Sequence, residues 1–92
     1  MIRTWKHKGL KKFYETGSTS GIQPKHKTRL KIILQRLEAA IYAEDMDLPG
    51  MRFHKLKGQY NDYYSVTVNA NWRIIYKFEN NHAILVDYLD YH

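Results

Sequence analysis

The hydrophobic period changes once along this chain, from helical to alternating, and that change restricts what ninety-two residues can build. Before Pro49-Gly50, Leu30, Ile33, Leu34, Leu37 and Ile41 form one apolar stripe, which predicts a core-facing helix from Pro24 to about Ala43. Pro24 suits a first helical turn, where its missing N–H is no loss. Beyond Pro49-Gly50, Tyr64, Val66 and Val68 alternate with Tyr63, Ser65 and Thr67. Trp72, Ile74, Tyr76 and Phe78 then alternate with Arg73, Ile75 and Lys77, and the first set is read as core. Asn69-Ala70-Asn71 and Asn80-Asn81 leave room only for tight turns, so these strands pair as antiparallel hairpins.

The remaining elements follow from local signals. Ile2 to Trp5 reads as a short first strand, and a basic helix follows from about Gly9 to Thr16, with Gly17 at its C-terminal end. Glu44 to Gly50 is an acidic connector, Arg52 to Leu56 a short strand, and the last strand runs from His82 toward Tyr91. The expected fold is α+β: two N-terminal helices on one face of a small, mainly antiparallel sheet. The other face can then stay partly open and polar. The length fits one domain spanning residues 1–92.

Charge narrows the partners. Of fifteen Lys and Arg residues, ten lie in residues 1–36 beside a single acid, Glu15; residues 37–92 carry the other five with eight acids. A net charge of +6 with that asymmetry favours a polyanion, nucleic acid above all. No cysteine is present, which excludes a disulfide framework and thiolate zinc sites. No long apolar run or signal-peptide pattern occurs, and a cytoplasmic protein is the simplest expectation.

The chain closes on Asp90-Tyr91-His92, an acid, a phenol and an imidazole behind the apolar run Ala83–Leu89 that should anchor them. In consecutive hairpins, Arg73 near the start of one strand comes close to that tail at the end of the next. His54, Lys57 and Asn71 come from the neighbouring strands or their ends. Such a set fits RNA cleavage by the RNA's own 2′-hydroxyl. That reaction needs a base, an acid and cations for the developing phosphorane charge, but no metal or other cofactor. Each residue also has a plainer reading: His92 an exposed terminus, Asp90 a cross-strand partner of Arg73, Tyr91 a half-buried strand aromatic, His54 a surface residue. His7, His26 and His82 have no partner in sequence and read as surface residues.

Three segments together resemble a known family. They are Phe53-His54-Lys55-Leu56-Lys57-Gly58, Ser65-Val66-Thr67-Val68-Asn69-Ala70-Asn71-Trp72-Arg73-Ile74, and Asp87-Tyr88-Leu89-Asp90-Tyr91-His92. With Trp5-Lys6-His7-Lys8-Gly9-Leu10 and Gly17-Ser18-Thr19-Ser20-Gly21-Ile22, they resemble the HigB (host inhibition of growth) toxins of the RelE/ParE superfamily along the whole chain. The resemblance implies a ribosome-dependent endoribonuclease that cuts messenger RNA in the A site of the 70S ribosome. Its implied restraint is a cognate HigA antitoxin with a helix-turn-helix domain.

The active-centre positions carried over are His54, Lys57, Asn71, Arg73, Asp90, Tyr91 and His92. His92 and Asp90 are expected to move protons, with His54 competing for one of those roles. Lys57 and Arg73 would stabilise phosphate charge, Tyr91 would orient or stack on substrate, and Asn71 would hydrogen-bond the nucleotide. Lys6, Lys8, Lys11 and Lys12, on the basic outside of the helices, would face 16S ribosomal RNA. Two other readings stand beside this one: a ParE-like toxin acting on DNA gyrase, and a basic RNA-binding module without catalysis.

Overall fold

The computed structural model describes residues 1–91. His92, the proton carrier expected from the sequence, lies outside the described residues. The elements are α1 (Lys8–Thr16), α2 (Lys27–Ala39), β1 (His54–Lys55), β2 (Tyr64–Asn69), β3 (Trp72–Glu79) and β4 (His82–Asp90), with short 3-10 turns at Pro24–His26, Ala43–Met46 and Gly58–Tyr60. The strands form one antiparallel meander in the order β1-β2-β3-β4, as the tight asparagine turns require.

Both helices lie on one face of the sheet. Leu10 and Phe13 of α1 and Leu30, Ile33, Leu34 and Leu37 of α2 pack against Val66, Val68, Ile74, Tyr76, Val86 and Tyr88. Trp72 and Phe78 join this core only half-buried. The α1 helix begins where the imidazole Nδ1 of His7 accepts the Leu10 N–H at 2.9 Å, and it ends at Gly17, whose φ of 81° suits glycine. Gly9 and Gly21 form a backbone-to-backbone crossing between α1 and the loop before α2. A Cβ on Gly9 would stand 2.4 Å from the Gly21 carbonyl oxygen.

Three expectations are corrected. Ile2 and Trp5 form no strand of their own; they make isolated parallel bridges to Ala83 and Val86 along the outer edge of β4. That edge is sealed by Arg3 N–H to the Ala83 carbonyl and Lys6 N–H to the Val86 carbonyl, both 2.8 Å. The second helix stops at Ala39 rather than Ala43, because Ala40 turns extended with ψ 138°. Asp45 then captures the N–H groups of Ile41 and Tyr42 at 2.9 and 3.0 Å, which leaves Ile41 exposed instead of in the core stripe. The strand expected over Arg52–Leu56 shrinks to His54–Lys55, with Arg52 at φ 49° breaking the extended run.

His26 also departs from its surface reading. It is 1% exposed, its Nδ1 lies 2.6 Å from the Tyr88 hydroxyl, and its ring meets Trp72 edge-on. Burial, with Lys25 as a second cause, lowers its pKa below the ordinary histidine value. His82 is half-buried and likewise lowered, first by burial and then by Arg3 and the N-terminal amine.

Candidate active site

Alternation along the strands turns one residue set away from the helices. His54 of β1 faces Ser65 of β2, Ser65 faces Ile75 of β3, and Ile75 faces Asp87 of β4. One row further, Thr67 faces Arg73 and Arg73 faces Leu89. This face is not simply polar, as expected. It carries an apolar cluster of its own, Leu56, Tyr63 and Ile75, with Tyr60, Leu85, Leu89 and Tyr91 packed against it.

The bulge in β4 makes this cluster possible. The register shifts between Ile75 and Lys77, and Leu85 takes φ 54°. An extra residue on one strand resets its alternation. Ala83 and Val86 therefore both reach the helix side, and Leu85, Leu89 and Tyr91 reach the open side.

Of the residues singled out from sequence, His54, Arg73 and Tyr91 share the open face. His54 is exposed, with Nδ1 3.0 Å from the Arg52 carbonyl. Arg73 is half-buried; its Nη1 donates to the Thr67 hydroxyl, and its buried Nε has no hydrogen-bond partner among the described residues. A guanidinium held from one end by a strand neighbour is fixed in direction, which suits recognition of a phosphate. The Tyr91 N–H donates to the Asn71 carbonyl at 2.8 Å, so the tail is tied to the β2–β3 turn, and the Tyr91 ring lies 5.9 Å from that of Tyr60. Lys57 is exposed at the start of the turn that carries Tyr60.

Asp90 does not join Arg73 on that face. Its cross-strand partner is Trp72, which packs on the helix-side core, and the partner of Arg73 is Leu89. Strand alternation separates the two side chains although their backbones are close. Asp90 is thus at the sheet's end, beside the exposed Asn71. Lys8, Lys11 and Lys12 are exposed along α1, outside the helix-covered face, as expected. Lys6 is not on a helix: it lies on the segment bordering β4, with its Nζ 5.7 Å from the centre of the Tyr63 ring. Tyr60, Tyr63 and Lys77 also border the open face, although no motif marks them. Tyr63 and Lys77 share the strand parity of Arg73, and that alternation is the signal that finds them.

Among the described residues no group of three His, Cys, Asp or Glu side chains could hold a metal ion, and no helix is long and apolar enough to cross a membrane.

Comparisons with known proteins cover the whole fold. Residues 3–92 match the family described as the RelE-like toxin of type II toxin–antitoxin system HigB. An endoribonuclease HigB from Proteus vulgaris is 40% identical over 92 residues, spanning all of both chains. Two solved structures from Staphylococcus aureus share the fold at 19% identity and a TM-score of 0.63, each aligned with all of this chain: a YoeB–YefM complex, 98% of whose matched chain is covered, and a YoeB dimer, with 97% covered.

Proposed function

This chain belongs to the HigB-like family of RelE-like toxins of type II toxin–antitoxin systems and is an endoribonuclease; we propose that it cuts messenger RNA in the A site of the translating ribosome. The observation that carries this reading is the 40% identity to an endoribonuclease HigB along both full lengths. The open sheet face adds chemical support, because it offers an imidazole on β1, an anchored guanidinium on β3 and a phenol beyond the end of β4.

In this reading the RNA's 2′-hydroxyl attacks the neighbouring phosphorus and the 5′ oxygen leaves. The attacked oxygen loses a proton and the leaving oxygen gains one, so two proton carriers are needed. His92 and Asp90 fill these roles, with His54 as the alternative for one of them. Histidine suits either task, since its ordinary pKa is about 6.5. Arg73 and Lys57 balance the charge that builds on the phosphorane oxygens. Tyr91 and Asn71 position the nucleotide. The dependence on a 2′-hydroxyl makes RNA the substrate and excludes DNA.

The partners in this reading are the 70S ribosome with its 16S RNA, faced by Lys8, Lys11 and Lys12, and a HigA-type helix-turn-helix antitoxin that restrains the toxin. The decisive experiment is expression of wild type and His92→Ala in a bacterium, with transcript ends mapped on translating and on translation-blocked messages. Wild type should arrest growth and cut only translated messages, and His92→Ala should do neither while melting at the wild-type temperature. Full activity of His92→Ala would remove the tail from the mechanism. Equal cutting of untranslated RNA would remove the ribosome.

A further inference from the structure

The open face carries a second concentration of charge that the cleavage step does not use. Lys77 follows Arg73 on the same face of β3, roughly 13 Å along the strand. Its Nζ lies 5.0 Å from the centre of the Tyr63 ring, and Lys6, arriving from the segment beyond β4, lies 5.7 Å from that same centre. Tyr63 is 8% exposed and is held by its neighbours in the open-face cluster, so the ring is a fixed platform for both cations.

Two ammonium groups drawn to one ring repel each other, and neither forms an ion pair with a carboxylate among the described residues. Asp87 is on the same face, where its Oδ1 accepts the Tyr88 N–H at 2.9 Å. An anion between the lysines would relieve their repulsion. The ring of Tyr60 joins this place to the tail, standing 5.9 Å from Tyr63 on one side and 5.9 Å from Tyr91 on the other.

We propose that Lys6 and Lys77, seated on Tyr63, form a phosphate subsite for the RNA backbone, separate from the linkage that is cut. The proposal rests on the endoribonuclease reading and extends it. An RNA strand with its scissile linkage near Arg73 and the tail would pass over Tyr60 and lay a more distant phosphate between the two ammonium groups. The phosphate comes from the message or from ribosomal RNA; the chemistry recognised is the same.

The test uses intact toxin and ribosomes translating a defined message. Lys6→Met and Lys77→Met keep the aliphatic stem over Tyr63 and remove the charge, and Lys77→Arg restores it. Each loss should raise KM roughly fivefold, as for one exposed charge contact, with the effect on KM rather than kcat. The slope of log KM against log salt should become shallower by about 0.7 for each lysine removed. Lys77→Arg should return both values to wild type.

A message bearing one neutral methylphosphonate near the cut identifies the source. A position whose effect vanishes in Lys77→Met assigns the phosphate to the message; if none does, a shift in KM assigns it to ribosomal RNA, and the subsite stands in both cases. An unchanged KM and salt slope in the double variant, with wild type cutting normally, overturns the subsite and leaves the nuclease reading intact. If wild type cuts no message, the nuclease reading falls and the subsite falls with it.

Discussion

Ile74 and Arg73 are neighbours on β3, yet one is fully buried beneath two helices and the other reaches across an open sheet to Thr67. The same contrast runs through β2 and β4. The covered face collects large apolar side chains from α1, α2 and three strands, and the Tyr76 hydroxyl there donates to the Ala43 carbonyl at 3.2 Å, whereas the buried Nε2 of His26 has no partner among the described residues. The open face has a smaller apolar patch and keeps His54, Lys6 and Lys57 in water around it. A sheet of this size can bury only one face thoroughly. The covered face therefore carries most of the stability, and the open face can hold charges close together that a core would not tolerate.

Substitutions on the two faces should separate these roles. The largest effect is expected from Leu34→Ala, which empties fully buried volume between α2 and the sheet. A loss of about 4 kcal/mol in unfolding free energy is expected, with activity per folded molecule unchanged. Chemical denaturation checks the first part, and a cleavage assay normalised to folded protein checks the second. A loss below about 1 kcal/mol would mean that the covered face is not the main source of stability.

Arg73→Gln makes the opposite demand. Cleavage should fall roughly a hundredfold, the typical cost of one lost transition-state donor, while the melting temperature stays near wild type. Single-turnover cleavage on programmed ribosomes measures it. An undiminished rate would place the guanidinium away from the reacting phosphate.

A smaller effect probes the contact that holds α1 on the covered face. Gly9→Ala would drive a methyl group into the Gly21 backbone, which cannot rotate away as a side chain could. About 2 kcal/mol of destabilisation is expected, read by thermal melting. Gly17→Ala meets no neighbouring atom, but its φ of 81° gives it a separate, conformational cost.

The legibility of the two faces differed for a physical reason. The covered face was readable because burial imposes a period: Leu30, Ile33, Leu34 and Leu37, and then Trp72, Ile74, Tyr76 and Phe78, all fall on the side their spacing implies. Ile41 broke the rule because Asp45 offered its N–H a better partner than another helical turn, an option that periodicity does not register. The open face was harder to read. The β4 bulge decides which of its residues look outward, and bulges leave little mark in composition. The side-chain separation of Asp90 from Arg73 follows simply from strand parity, yet closeness in register had suggested a pair. His26 is buried where its sequence context implies a surface residue, because a lone histidine shows no sign in sequence of a phenol that lies sixty-two residues away.

That buried pair also supplies a pH test that belongs to the covered face alone. Burial, then the charge of Lys25, holds the His26 imidazole below its ordinary value. The unfolded chain therefore takes up the proton first as pH falls, and the folded state loses ground. His26 thus contributes stability that is fully present above the unfolded pKa of about 6.5, declines as pH drops through that value, and stops declining below the folded pKa. His82 acts with the same sign, through burial first and then Arg3 and the N-terminal amine, partly opposed by Glu38. Melting temperature should accordingly fall between about pH 7.5 and pH 5, and His26→Gln should flatten part of that fall. Asp45, whose carboxyl is lowered by the Tyr42 and Ile41 N–H groups, acts only in the more acidic range, where its proton returns, so it does not blur the window. A parallel slope in His26→Gln would mean that His26 titrates in the fold as it does in the unfolded chain. Cleavage measured over the same range, per folded molecule, should not follow the part of the fall that His26→Gln removes, because His26 packs against Tyr88 and Trp72 on the helix side of the sheet.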